Sequence, residues 1–547
     1  MVEPNAADTA LEENGPNEVQ TSPMAGGASS SSIARAAGIN SLGNVASRVL
    51  GLVRESVGAT LFGATGATSA FSAVSTVPKM VYELLIGGML SAALVPVLSE
   101  YATAERREEL EQILSILLSL AGIVLVVVVL LLELGAPWIA PILVGGFDPA
   151  LLATTTRLLR LIVPAIMIYG FSGILQAYHY SRKRFVYPAM GAPAHNLGVI
   201  LAVVLLAGKL DIASLSVGIV VAATSQLLVQ LPGLRGTRLT LNFNWHHPAI
   251  RRILRLYAPV VLSIVIQNIG IIIDRNLASR TVNEAITWMN KATFLIQLPL
   301  GLVSMAISLA VLPMLSQIDA RKELDRFKRT FSRGLRLVLV VIIPAAVGLL
   351  VLGKPIIALI YEHGEFTPED TLQTWRALRY YLPGLPFAAI DLPLIFAFYA
   401  QKDTVTPVIV GIVGVVIYLL VAPALAFLAG WGFLGLVAAN SVQLISHAVI
   451  MLVLFSRRFD GLRGYGVGRV TVKALAASLP VVFLSYGAYA LLGRLAPAGL
   501  VGNVVIVGAS ATLGAAGYVL GARLLHIDEL DSLWQLIRRR LRPPREA

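Results

Sequence analysis

The chain predicts an all-α polytopic membrane protein of about 14 transmembrane helices, arranged as two six-helix lobes in a parallel pseudo-repeat plus two extra C-terminal helices. Three observations predict it. The 547 residues are 56% hydrophobic and only 14% charged, with mean hydropathy +0.77, whereas soluble domains carry about 25% charged residues. Apolar runs long enough to cross a roughly 30 Å hydrocarbon core recur, the clearest being ILSILLSLAGIVLVVVVLLL at 113–132. Short motifs also repeat at a near-constant offset.

The expected spans are 34–59, 69–99, 110–133, 153–178, 188–207, 212–232, 253–277, 285–316, 335–352, 376–400, 405–428, 432–455, 470–492 and 500–522. Residues 1–32 are polar and contain GGASSSS. They lack the basic-then-apolar order of a signal peptide and read as a disordered cytoplasmic tail. The remaining units are an N-lobe (33–233), a cytoplasmic linker (234–252), a C-lobe (253–456), a pair of added spans (467–525) and a C-terminal segment (526–547). In that last segment Leu530, Leu533, Trp534, Ile537 and Leu541 share one helical face. Acids open it and arginines close it, which suits the helix dipole and an anionic inner membrane surface.

Basic residues set the orientation. Arg106, Arg107, Arg182, Lys183, Arg184, the runs 235–255 and 321–336, Lys402 and the run 457–469 fall in alternate loops. The opposite loops hold Lys209, Arg280, Lys354 and Arg494. The positive-inside rule then puts both termini in the cytoplasm. The net charge of +12 reflects this bias rather than nucleic-acid binding.

The repeat pairs Pro96 with Pro313, 217 apart, and Gly135-Ala-Pro137 with Gly353-Lys-Pro355, 218 apart. Phe147-Asp-Pro149 pairs with Phe366-Thr-Pro368, and Arg157-Leu-Leu-Arg160 with Arg376-Ala-Leu-Arg379, both 219 apart. Pro164 with Pro383 and Pro188 with Pro407 keep that offset. Six spans separate each pair, so the two halves share one orientation. Transporters built this way bind substrate between lobes and rock to alternate access.

Catalytic motifs are missing. There is no Walker A sequence, no H-E-x-x-H and no cysteine at all, so the chain reads as a transporter with no enzymatic centre, metal site or cofactor. The informative residues are ionisable groups inside spans, where burial costs at least roughly 2.5–3.5 kcal/mol. They are Arg48, Arg54, Glu55, Lys79, Glu83, Asp274, Arg275 and Lys291, and they lie in the first two spans of each lobe. Most are cations, which suits an anionic substrate, and arginine matches phosphate oxygens bidentately. Snorkelling to headgroups is the competing reading, strongest for Asp274 and Arg275. Arg48 and Arg54 are six residues apart and diverge by roughly 120° on an ideal helix. They share a cavity if the helix bends near Gly51 or lies at the lobe interface. Gly87 and Gly88 permit close packing or flexing, and Pro78 and Pro299 can break their spans.

SRVLGLVRESVGATLFGA (47–64), VPKMVYELLIGGMLSAALVPVLSEY (77–101), QLPLGLVSMAISLAVLPMLS (297–316), HGEFTPEDT (363–371) and FYAQKDTVTPV (398–408) together resemble the MurJ (MviN) family. These are the lipid II flippases of peptidoglycan and cell-wall biogenesis, within the multidrug/oligosaccharidyl-lipid/polysaccharide exporter superfamily. The resemblance spans roughly residues 38–525. It implies a polyprenyl-diphosphate lipid substrate, flipped across the bacterial cytoplasmic membrane. It also implies membrane lipids and cell-wall synthesis proteins as partners, and a lipid-tail groove at spans 13 and 14. The family's two span-one arginines match Arg48 and Arg54, followed by Glu55. Elsewhere the chain departs: Ser69 and Gly87 replace acids, Tyr82 stands at an arginine place, and Thr293-Phe294 replaces an acid or amide followed by arginine. Lys79 and Lys291 are the nearest substitutes, so the resemblance implies a diphosphate held by Arg48, Arg54, Lys79 and Lys291, to which the in-span cation Arg275 is added as a further candidate. Glu55, Glu83 and Asp274 are the supporting acids. The alternatives are a flippase for another polyprenyl-diphosphate glycan and a MATE-like drug antiporter, which would more naturally expose carboxylates. A membrane potential or ion gradient is the expected driving force, one charge moved through 100 mV being worth roughly 2.3 kcal/mol.

Overall fold

The computed structural model describes residues 30–84, 93–495 and 499–530, with the side chains of 30–42 and 258–267 left undescribed. Every regular element among them is helical, as a backbone in lipid must be to satisfy its own polar groups. The first lobe contains α1 (Ser30–Phe62), α2 (Gly66–Val74), α3 (Thr76–Tyr82), α4 (Val95–Glu100), α5 (Arg107–Val144), α6 (Pro149–Ile162), α7 (Ala165–Ser181), α8 (Val186–Leu210) and α9 (Ala213–Leu228). The second contains α10 (Pro248–Ser279), α11 (Ala285–Pro299), α12 (Met305–Ser316), α13 (Leu324–Tyr361), α14 (Pro368–Tyr381), α15 (Leu385–Ala400), α16 (Val405–Pro423) and α17 (Phe433–Phe459). Then come α18 (Val467–Ala477), α19 (Leu479–Leu495) and α20 (Leu500–Leu524).

Eleven helical segments among the described residues are long and apolar enough to cross a membrane. Of the other expected spans, the first and seventh coincide with α1 and α10, of 33 and 32 residues. The second runs from α2 to α4, and its residues 85–92, including Gly87 and Gly88, lie outside the described residues. The same holds for residues 1–29 and for the amphipathic segment beyond residue 530. The start of that segment is tied down: Arg336 Nε lies 3.1 Å from Glu529 Oε1, and Lys473 Nζ donates to the His526 carbonyl.

The repeat is visible element by element. α5 and α13 have 38 residues each, and α6 and α14 have 14 each. The Phe-Asp-Pro and Phe-Thr-Pro motifs are helix starts. Asp148 accepts from the Ala150 and Leu151 N–H groups, and Thr367 forms a capping box with Asp370. Proline follows each cap at the first helical turn, where its missing N–H costs nothing. Pro164 and Pro383 explain why each fourth span is broken in two. Packing is mirrored as well: α2 lies on α6 as α11 lies on α14, α5 on α7 as α13 on α15, and α8 on α9 as α16 on α17. The first span of each lobe crosses over. α1 packs on α8 and on α13 of the other lobe, while α10 packs on α16 and on α5 of the other lobe.

At the ends where α1 and α10 finish, the crossover is latched. The loop after α13 closes over α1: Glu365 N donates to the Thr60 carbonyl at 2.9 Å. The loop after α5 closes over α10: Gly146 N donates to Ser279 Oγ at 3.0 Å. Between these latches Ser69 of α2 meets Thr287 of α11, with hydroxyls 3.0 Å apart. These two residues are 218 apart, so the contact sits on the pseudo-twofold axis.

The linker between lobes is an extended strap along α5. Arg238, Thr240 and Asn242 donate their backbone N–H groups to Glu111 Oε2, Ser115 Oγ and Ser119 Oγ, at 3.0, 3.2 and 3.0 Å. Those acceptors stand four residues apart and form one stripe of the helix. Leu239, Leu241, Phe243 and Trp245, the alternate residues, are exposed. α18, α19 and α20 pack on α13, the element equivalent to α5, outside the two lobes.

Candidate functional site

A cavity of about 880 Å³ opens between the lobes. α1, the second span, α8 and α9 supply one wall, and α10, α11, α16 and α17 the other. Arg54, Glu55, Pro78, Lys79, Glu83, Asp274, Arg275 and Lys291 all line it. Residues scattered over more than 230 positions of sequence thus share one space, because the first two spans of both lobes face the pseudo-twofold axis.

Its centre is a charged triad that crosses the lobe boundary. Arg54 Nη2 lies 2.9 Å from Glu55 Oε1, and Lys291 Nζ lies 2.7 Å from Glu55 Oε2. Lys291 also donates to the Glu55 carbonyl at 3.2 Å and sits 5.0 Å from the centre of the Tyr361 ring. Arg54 Nη1 donates to Asn196 Oδ1 at 3.0 Å. Arg54 is 30% exposed and Lys291 12%. Both remain reachable from the cavity, yet they are desolvated enough for charge to count.

On the C-lobe wall, Arg275 donates through Nη2 to Asn290 Oδ1 and lies 3.9 Å from Asp274. Asp274 in turn accepts from the Tyr418 hydroxyl. Lys79 and Glu83 form a loose pair, 3.9 Å apart, and Lys79 is exposed. Four cations therefore face three carboxylates, so the lining is less one-sided than a count of arginines and lysines suggests. Each acid holds a cation in place.

Arg48 lies elsewhere. α1 runs without a break through Gly51, which packs against Asn196 of α8. The helix is continuous there, and the divergence of Arg48 from Arg54 is retained. Arg48 is exposed, is not among the cavity-lining residues, and its guanidinium lies over Gly301. A Cβ placed on Gly301 would sit 3.1 Å from Nη2. Gly301 belongs to a π-helical segment, Leu300–Ser304, that interrupts the eighth span directly after Pro299. The break follows from the proline ring and its missing donor.

Asn196, His195, Tyr169, Asn290 and Tyr418 were not singled out from sequence, yet all line the cavity. Tyr169 and His195 share a hydrogen bond of 2.7 Å. Asparagine and histidine inside otherwise apolar spans, as in APAHNLGVI, were the available signal.

A two-lobed helical bundle with a central polar cavity at a pseudo-twofold axis defines a membrane transporter of the alternating-access class. Solved structures share the fold. "Lipid II flippase MurJ, inward closed conformation" aligns with a TM-score of 0.74 at 22% identity, covering 90% of this chain and 99% of that one. An inward-facing multidrug resistance MATE family transporter of the MOP superfamily aligns at 0.66 and 11% identity, covering 76% and 95%. Among curated proteins, a probable lipid II flippase MurJ of Vibrio cholerae is 28% identical, over 78% of this chain and 82% of its own length. That of Thermotoga maritima is 27% identical, over 90% and 97%. The lipid II flippase MurJ of Burkholderia cenocepacia is 28% identical, over 67% and 73%. The family model described as Lipid II flippase MurJ matches residues 58–510. The chain belongs to the MurJ family, a family of multi-pass membrane transporters rather than enzymes.

Proposed function

We infer that the chain flips lipid II, a polyprenyl-diphosphate-linked peptidoglycan precursor, from the inner to the outer leaflet of the bacterial cytoplasmic membrane. The observation that carries this reading beyond family membership is the Arg54–Glu55–Lys291 triad on the wall of the central cavity. Two cations there share one carboxylate. A diphosphate offers more acceptor oxygens than a carboxylate and competes for both cations, arginine engaging it bidentately. Drawing Lys291 away from Glu55 removes a link between α11 and α1. Headgroup binding therefore loosens the lobe interface at the same atoms that recognise it. Arg275 and Lys79 add positive charge on either side, with Asp274 and Glu83 holding them in position.

With both termini cytoplasmic, as the basic loops suggest, the latched ends of α1 and α10 face outward and the cavity serves the inner leaflet. Arg48, over the broken eighth span, meets the headgroup before the triad does. The polyprenyl tail stays in lipid beside α19 and α20. A membrane potential or ion gradient supplies the drive. Cell-wall synthesis proteins that use the flipped precursor are the expected partners.

The test is complementation of a MurJ-depleted bacterium together with flipping in proteoliposomes. The wild-type chain restores growth. Arg54→Ala and Lys291→Ala slow flipping at least tenfold, Lys291→Arg keeps most of the rate, and Lys79→Ala costs less than threefold. Triad variants at full rate would remove the diphosphate role. A chain that fails to complement but moves another polyprenyl-diphosphate glycan would replace lipid II as the substrate.

A further inference from the structure

The C-lobe contains a hydrogen-bonded histidine–carboxyl pair that the central cavity does not use. His447 of α17 lies with Nδ1 2.7 Å from Asp391 Oδ1 of α15, the two side chains being 14% and 17% exposed. Both are well inside their helices, and neither is among the cavity-lining residues. A charged carboxylate at this depth costs several kcal/mol unless it is paired, and its partner here is the one side chain that ordinarily titrates near neutral pH.

The pseudo-repeat supplies a built-in comparison. The residue 219 positions before Asp391 is Ser172, on α7, the equivalent of α15. Ser172 accepts a hydrogen bond of 2.6 Å from the Gln230 side-chain amide, just past the end of α9. Both lobes therefore tie the inner half of their fourth span to their sixth with a side-chain bond. In the N-lobe the tie joins an amide to a hydroxyl, and in the C-lobe an imidazole to a carboxyl group. Fold stability alone does not demand the charge, since the same architecture holds without it.

The surroundings connect this pair to moving parts. Two residues before Asp391, the Ala389 carbonyl accepts a 2.6 Å hydrogen bond from Ser304, which ends the π-helical break of the eighth span. Across α16, Gly414 lies against both His447 and Gln443: a Cβ there would sit 3.6 and 3.7 Å from them. Gln443 lines the cavity one helical turn from His447, as does Tyr418 one turn from Gly414. The titratable and charged groups around His447 are therefore few. α15 presents Asp391, and α16 presents Gly414 with Tyr418 beyond it. α10 brings Asp274 and Arg275, turned to the cavity, and α14 brings Tyr380 and Tyr381. The segments Leu382–Gly384 and Ala424–Leu428 contain no ionisable residue.

We propose that His447 and Asp391 form a proton-binding site in the C-lobe, whose occupancy sets how α15 packs beside the break in the eighth span. Neutral imidazole donates Nδ1–H to Asp391 and leaves the carboxylate charge uncompensated. A proton taken up at Nε2 makes the pair an ion pair and tightens α15 against α17. Through Ala389 and Ser304 the change reaches the π-helical break of the eighth span, over which Arg48 of α1 lies. The proton is thus a ligand of the transporter, bound apart from the diphosphate cavity.

The chain has no cysteine, so spin labels can be placed at will. Glu105→Cys and Arg321→Cys put labels in equivalent exposed loops of the two lobes. In liposomes, the populations of their two distance peaks are expected to change at least threefold between pH 5.5 and 8.0, about a single midpoint. His447→Gln and Asp391→Asn are each expected to reduce that change below 1.5-fold. Ser172→Ala, in the neutral tie, lowers stability but keeps the pH response. The proposal is overturned if the wild-type background shows no change over that range. It is equally overturned if either pair variant keeps the threefold change at the same midpoint. Should His447→Gln fail to fold, Asp391→Asn and His447→Asn carry the same comparison.

Discussion

Glu55 does two jobs that a lone carboxylate in a span rarely combines. It neutralises Arg54 on its own helix and reaches Lys291 on the opposite lobe at 2.7 Å. Removing one partner of a partly buried pair leaves the other charge uncompensated, at a cost of roughly 1–3 kcal/mol after allowing for screening. Glu55→Gln is therefore expected to lower the thermal unfolding midpoint in detergent by several degrees. Lys291→Met combined with Glu55→Gln should recover part of that loss, because only Arg54 of the two orphaned cations remains. An unchanged midpoint in the single variant would mean that the triad contributes nothing to lobe contact. Lys291 was legible in sequence as an intramembrane cation, but its partner was not, since the two residues are 236 positions apart. Arg48 shows the converse. Its charge and helix were legible, while its place outside the cavity depended on how α1 packs against the other spans.

At the scale of elements, motifs that looked like family signatures turn out to be helix boundaries. FYAQKDTVTPV contains the turn from α15 to α16, where Asp403 accepts from the Thr406 N–H at 3.0 Å and from its hydroxyl, and pairs with Arg458. Partial burial works to raise the Asp403 pKa. The Thr406 hydrogen bonds and the Arg458 charge outweigh it and hold the carboxyl below its usual range. A carboxylate depressed on folding stabilises the protein at neutral pH, and that contribution is lost as pH falls through its folded pKa. Asp403→Asn is expected to cost about 1 kcal/mol at pH 7, measured by chemical unfolding. The gap to wild type should close as the pH drops below about 4. A gap independent of pH would assign the loss to packing instead. HGEFTPEDT reads the same way: it holds the capping box of α14 and the latch over the end of α1.

For the whole molecule, the governing feature is the pseudo-twofold axis. Each lobe's third-to-fourth loop covers the first span of the other lobe, so opening that end requires both latches to part. Gly364 makes one of them tight. Its φ of +58° suits glycine, and a Cβ there would lie 2.2 Å from the Thr60 carbonyl oxygen. Gly364→Ala is expected to spring the latch and shift the lobes toward the opposite opening. With Ser69→Cys as reporter on the axis, a membrane-impermeant maleimide should react at least tenfold faster in the Gly364→Ala background. Equal rates would show that the latch does not hold the closed state.

The amino-acid sequence by itself determined the membrane class, the eleven apolar spans found among the described residues, the charge bias of the loops and the two-lobe repeat. Those properties rest on hydropathy, loop charge and a constant offset, all of which are local or additive along the chain. It also named the ionisable residues that gather in the cavity, because a charge in an apolar span is conspicuous wherever it points. Only the tertiary structure decided the pairings: which carboxylate holds which cation, that Arg48 stands outside, and that His447 meets Asp391. Such pairings depend on distances of a few ångströms between helices far apart in sequence. Coulombic attraction and hydrogen bonding fall off over that length, so periodicity, which sets only the face of a helix, cannot resolve them.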